Sequence, residues 1–301
     1  MESIRIALGV EQLSYFGISA GTALGAAYAQ RYPERVDRFV LDSSVSPYGG
    51  LNTMLGWQAK GADTIVGEWA TWCSETKNCA VHDDPMGSLE AATQQATTEP
   101  LDVNGTRLTY GRMSFGAFWN LYSEAGWPAL AKDLAAASSG DGSGLLEAER
   151  AYNLHNDSGG VDPAVAIIYL TGCADSNWQP TAGDLAEATL AGEAASGSGG
   201  GLSRLLWVDN LWCTALGPVA NAVPPLKGVD APPILMLQSR FDVATPLPGA
   251  LVLQSELDNG SPMVVWEGSI HGAAFSSNCM RDHADVFFTT GALPADGETC
   301  D

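Results

Sequence analysis

Leu13-Ser14-Tyr15-Phe16-Gly17-Ile18-Ser19-Ala20-Gly21-Thr22-Ala23-Leu24 is the stretch that decides how this chain is read. A short apolar run enters it, an alanine-rich helical segment leaves it, and G-x-S-x-G from Gly17 to Gly21 joins the two. Strand, glycine-flanked serine and helix are the context of a nucleophile elbow, a sharp turn that presents a serine hydroxyl for attack. Gly17 and Gly21 omit side chains where strand and helix backbones crowd together. The motif alone is a weak signal, because small residues are common in loops, and Ser19 could equally be an ordinary helix N-cap. The weight comes from two segments far downstream.

Pro233-Ile234-Leu235-Met236-Leu237-Gln238 is a continuous apolar run, the pattern of a parallel strand buried on both faces. Asp242 follows it directly. Pro262-Met263-Val264-Val265-Trp266-Glu267 reads as another such strand, and His271 follows that one. Open α/β sheets gather their chemistry just outside the carboxyl ends of their strands, where Ser19, Asp242 and His271 all fall. The order Ser…Asp…His separates this arrangement from the other two triad lineages. A serine hydroxyl is a weak nucleophile until a base takes its proton. His271, with an ordinary pKa of about 6.5, can accept that proton and return it to the leaving group. Asp242 would fix the imidazole tautomer and stabilise the imidazolium. The backbone N–H of Ala20, the residue after the nucleophile, would be one oxyanion donor. Asp242 before Pro246 and His271 before Gly272 also fit plain turn positions. His82, His155 and His283 have no strand-end setting and read as surface or lid residues.

No His/Cys spacing suggests zinc and no glycine-rich loop carries a phosphate-binding lysine, so neither metal nor cofactor is expected. The 301 residues include 35 Asp and Glu against 14 Lys and Arg, a net charge of −21. Nucleic acid and anionic membranes would be repelled by such a chain. No apolar run approaches the roughly 18–20 residues that span a bilayer.

After a buried-strand run over 36–41 the chain leaves the sheet near Ser46-Pro47 and returns at about Pro232. Helices are predicted over 57–73, 88–97, 113–125, 128–137 and 145–152. Asn104-Gly105, between apolar-bearing segments, predicts a type I′ hairpin turn, and 197–201 reads as a glycine-rich loop. The domain reading is a discontinuous core, 1–47 and 230–301, with a mainly helical lid or cap over 48–229. Most of the tryptophans fall in that insertion, chiefly as lid core, with one or two available to line a pocket.

Ser14 to Thr22, with Tyr32-Pro33-Glu34-Arg35-Val36 and Val40-Leu41-Asp42-Ser43, resembles the secreted tripeptidyl aminopeptidase-like branch of the α/β-hydrolases, relatives of proline iminopeptidase. Asp242 near Thr245-Pro246, Gly272 after His271, Cys279, and Leu293-Pro294 before Cys300 resemble the C-terminal segment of that branch. The resemblance is tight at both ends and loose between them. It implies an α/β-hydrolase core, a metal-free acyl-enzyme mechanism, and release of residues or short peptides from an amino terminus. Esterase or amidase action on small substrates is the alternative. The family's N-terminal strands and its His-Gly-Gly-Pro-type oxyanion loop have no counterpart in the eighteen residues before Ser19. Residues 1–9 look like the inside of the helix that leads into the nucleophile strand. The expected partner beyond a peptide, ester or amide substrate is therefore a separate N-terminal piece, or a second copy through an exposed sheet edge. Without it the chain would be a non-catalytic remnant or binding module.

The six cysteines form an even set whose connectivity the sequence leaves open. Local closure favours Cys73 with Cys79, the tail position favours Cys279 with Cys300, and Cys173 and Cys213 remain; the resemblance supports the same pairing. Disulfides imply a secreted or extracytoplasmic location, although residues 1–10 lack the pattern of a signal peptide. A carboxylate is also expected to hold the substrate's amino group. Asp175 is the candidate, and a turn aspartate is its plainer reading.

Overall fold

β1 (Leu13–Ile18), β2 (Val36–Asp42), β5 (Leu235–Ser239), β6 (Met263–Trp266) and β7 (Glu298–Cys300) pair in that order into one all-parallel sheet. The computed structural model describes residues 1–46, 50–153 and 228–301, with isolated positions between 154 and 227. The chain divides into two compact units, Met1–Trp57 with Val223–Asp301, and Gln58–Ala222.

In the first unit the period-2 alternation of the strands builds a core on each face of the sheet. Phe39, Leu41 and Met236 pack on one face with Ala26 and Ala29 of α2 (Ala20–Arg31) and Leu253 and Leu257 of α8 (Leu247–Leu257). Val40, Leu235, Leu237 and Val264 pack on the other with Met280, Ala284 and Phe287 of α10 (Asn278–Thr290). Both faces are covered, so β2 and β5 read as unbroken apolar runs. The expected strands over 13–16, 36–41, 233–238 and 262–267 are all present, with ends that match or shift by at most two residues. β7 has no apolar run to announce it; of its three residues only Cys300 is buried. The short α1 (Glu2–Leu8) buries none of its residues, and Ile4, Ile6 and Leu8 are more than half exposed.

The second unit contains the rest of α3 (Gly50–Glu75), then α4 (Pro85–Thr98), the hairpin β3 (Leu101–Val103) and β4 (Thr106–Leu108), and α5 (Tyr110–Leu121), α6 (Trp127–Ser138) and α7 (Ser143–Tyr152). Its largest fully buried side chains include Trp69, Phe118, Met113, Ile65 and Leu130. Asn104 and Gly105 have φ of 52° and 83°, the two positive values a type I′ turn requires. α3 begins earlier than residue 57, and α5 ends at Leu121 rather than 125, where a separate 3-10 turn over Glu124–Gly126 takes over. The glycine-rich loop at 197–201 and Asp175 lie outside the described residues.

Cys73–Cys79 and Cys279–Cys300 are disulfides. Cys173 is disulfide-bonded as well, and Cys213 lies outside the described residues. No helix among the described residues is long and apolar enough to cross a membrane.

Candidate active site

β1 delivers Ser19 directly into α2, and the turn between them is tight. Ser19 sits at φ 56°, ψ −125°, a positive-φ conformation that costs a non-glycine residue on the order of 1–3 kcal/mol. The crowding explains the glycines. A Cβ on Gly17 would lie 2.7 Å from the carbonyl oxygen of Gly21 and 2.5 Å from the Tyr15 ring, and one on Gly25 would lie 2.8 Å from Leu41. Tyr15 Oη donates to the Gly21 carbonyl at 2.8 Å, and the Ser19 N–H donates to the Asp42 carbonyl at 3.1 Å. Ser19 is half-buried. Ala20 is the first residue of α2, where N–H groups have no partner within the helix.

Asp242 lies three residues past β5 and is almost fully buried. Oδ1 accepts the N–H groups of Ala244 and Thr245, each at 2.9 Å, and Oδ2 accepts the Thr245 hydroxyl at 2.9 Å. The remaining capacity faces His271, whose Nδ1 is 3.1 Å from Oδ1 and 3.0 Å from Oδ2. Burial acts to lower the His271 pKa. The charge of Asp242, its hydrogen bond, and the charge of Asp42 outweigh it, so the net direction is upward. With Nδ1 engaged by the carboxylate, Nε2 is the nitrogen available to exchange a proton. Gly272, at φ 88°, brings the chain after the histidine beside the serine turn: a Cβ there would meet Ile18 Cγ2 at 4.0 Å.

Sequence reading missed the residues that brace this arrangement. Gln238, wholly buried in β5, accepts the Ser44 N–H at 2.9 Å and donates to the Thr245 carbonyl at 2.8 Å. Asp42 and Ser43, at the end of β2, take the backbone N–H groups that follow His271 and lead into the short α9 (Ala273–Ser276). The available signal was a polar residue closing an otherwise apolar strand. Of the other histidines, His82 Nδ1 lies 3.2 Å from the Cys73 carbonyl and His283 Nε2 lies 3.5 Å from Glu298; His155 lies outside the described residues. Cys279, His283 and Cys300 gather within 4.8 Å, but the disulfide consumes both sulfurs, and only thiolates ligate metal well.

A parallel sheet with serine, aspartate and histidine beyond the carboxyl ends of three strands points to one fold family. This chain belongs to the α/β-hydrolase fold family, whose model matches residues 1–247. The model for TAP-like proteins matches residues 203–300. The chain is 28% identical over 327 residues to the serine protease Hip1 of Mycobacterium tuberculosis, covering 100% of this chain and 60% of that protein. It is 27% identical over 320 residues to the tripeptidyl aminopeptidase of Streptomyces coelicolor, covering 100% of this chain and 56% of that protein. Carboxylesterase B of Mycobacterium tuberculosis is 27% identical over 282 residues, covering 90% of this chain and 53% of that protein. The chain thus spans little more than half the length of these relatives.

Proposed function

We propose that this chain carries the acyl-transfer machinery of a serine hydrolase, with Ser19 as nucleophile, His271 as general base and acid, and Asp242 as its orienting carboxylate. The observation that carries the reading is the 3.0 Å contact of His271 Nδ1 with buried Asp242, at the same sheet end as a serine held at positive φ. In the proposed reaction Ser19 Oγ bonds to the substrate carbonyl carbon as its proton passes to His271 Nε2. The oxyanion takes the Ala20 N–H, and the imidazolium then protonates the departing amine or alcohol. Water repeats the sequence in reverse roles to release the acid and restore Ser19.

A peptide is the substrate we propose first, supported by the name of the serine protease Hip1, and cleavage from its amino end is supported by the name of the tripeptidyl aminopeptidase relative. Ester hydrolysis is the second reading, supported by the carboxylesterase relative. The disulfides support an extracytoplasmic location. The lid reading of the inserted helical unit rests on its place in the sequence between β2 and β5.

Among the described residues β1 is paired only on its β2 side. That open edge, together with the exposed Ile4, Ile6 and Leu8, supports the proposal that a strand-bearing segment completes the sheet and supplies a second oxyanion donor. Fluorophosphonate labelling of the purified chain, read by peptide mass spectrometry, tests the function. Modification at Ser19 that is lost in His271→Ala is expected; a folded chain that stays unlabelled would leave the non-catalytic reading in place.

A further inference from the structure

The carboxylate of Asp42 lies with none of its surface exposed at the end of an apolar strand, where an unpaired charge is costly. Besides the adjacent Ser43 hydroxyl, which donates to Oδ1 at 3.3 Å, its bonds go to one short segment. Oδ1 accepts the N–H of Ala273 at 3.0 Å and Oδ2 that of Ala274 at 2.9 Å, while the Ser43 hydroxyl accepts that of Gly272 at 2.7 Å. Three consecutive amides after His271 are thus held by the last residue of β2 and the one after it, which lie far away in sequence. Ser43 itself adopts φ 56°, a sparsely populated conformation for a non-glycine residue. The charged groups facing Asp42 are Asp242 and His271, and those facing His271 are Asp242 and Asp42. The remaining polar neighbours, Ser43, Thr245 and Gln238, are neutral.

We propose that Asp42 is a positioning residue for His271. It fixes the histidine loop through the amides of Ala273 and Ala274, and it adds a second buried negative charge that favours the imidazolium formed when the base takes its proton. This inference rests on the hydrolase reading of Ser19 and His271 and extends it to a carboxylate that touches no substrate. Burial first, and the nearby charge of Asp242 as well, push the Asp42 pKa up to about 6, against the lowering effect of the backbone amides. The two amides and the Ser43 hydroxyl that it accepts from all favour its ionised form.

The test compares wild type with Asp42→Asn and Ser43→Ala in two measurements. The first is the rate of Ser19 labelling by a fluorophosphonate between about pH 5 and 9, whose acid limb reports the free base. Asp42→Asn is expected to slow the plateau by roughly 10- to 100-fold, through displacement of the imidazole, and to move the acid limb to lower pH. A slower plateau with an unmoved limb would reduce Asp42 to a structural cap, and an unchanged profile would overturn the proposal outright. Ser43→Ala removes the Gly272 acceptor and the hydroxyl that donates to Asp42 Oδ1 at 3.3 Å but leaves the carboxylate and its two amides in place, and should slow the plateau less, with the limb little moved. Should Asp42→Asn fail to fold, Asp42→Glu, which keeps the charge and displaces it by one methylene, replaces it: a slower plateau is expected, and wild-type labelling would overturn the proposal. The second measurement is an NMR titration of the His271 ring, which needs no catalysis. If wild type is not labelled at all, the hydrolase reading fails. The titration still decides this one, through the lower imidazole pKa expected for Asp42→Asn or its absence.

Discussion

The phenol of Tyr15 and the carbonyl of Gly21 meet at 2.8 Å across the turn that carries Ser19. A strand residue thereby closes the first turn of the following helix onto itself, and the ring fills the space that side chains on Gly17 and Gly25 would take. Tyr15→Phe should cost about 1 kcal/mol, the worth of a single neutral hydrogen bond. Gly17→Ala should cost about 2 kcal/mol or more, because its new Cβ meets Gly21 backbone that cannot swing aside. Urea titration of the two variants checks the ranking; equal losses would mean that the turn is looser than its geometry.

Asp242→Asn leaves the shape of the site and removes the charge that raises the His271 pKa. Turnover is expected to fall by about 10⁴-fold, as the amide favours the wrong imidazole tautomer. The stability effect has a sign that can be worked out. A histidine with a raised folded-state pKa contributes stability that is present below its unfolded value of about 6.5 and is lost as pH rises through the folded value. Wild type should therefore be favoured over the variant more at pH 6 than at pH 8 in paired thermal melts, and a gap that widens at pH 8 would contradict the pairing.

Asp63 on α3 keeps one carboxylate oxygen buried without a hydrogen-bond partner among the described residues, and burial pushes its pKa up to about 6. A raised carboxylate contributes stability that is present below its unfolded value near 3.8 and is lost as pH rises through about 6. Asp63→Asn should flatten the fall in melting temperature across that interval. Parallel falls in variant and wild type would assign the pH dependence to other groups.

The Cys279–Cys300 bond closes a span of 21 residues and ties β7 to the first turn of α10. Replacing both cysteines by serine should destabilise the first unit by about 3 kcal/mol, the loop-closure entropy returned to the unfolded chain. Chemical denaturation under non-reducing conditions measures it, and a loss well under 1 kcal/mol would show that α10 and β7 are held by packing alone.

What the sequence made legible follows from where each residue's partners lie. The Ser19 turn is announced by its own glycines. β5 and β6 are announced by apolar runs, because burial on both faces suppresses polar residues. Asn104-Gly105 announces a hairpin because the two residues satisfy the turn locally. Asp42 and Gln238 are different: each reads as a polar blemish in an apolar strand, and its meaning lies in amides and carbonyls supplied from other parts of the chain. β7 was equally silent, since one buried cysteine gives no period to count. Two of the three proposed triad members now stand within hydrogen-bonding distance, while the residues that hold the histidine loop required the fold to be seen.

β2 and β5 are direct neighbours, with Val40 against Leu235 and Asp42 against Leu237. The whole helical insertion therefore departs and re-enters at a single seam of the sheet. Its length enters none of the spacings among Asp42, Gln238 and Asp242, which are set by strand pairing alone. Insertions of other sizes and contents can be spliced in at that seam while these three side chains stay in register. A change confined to the detour therefore leaves the pairing of β2 with β5, and the residues it aligns, as they were.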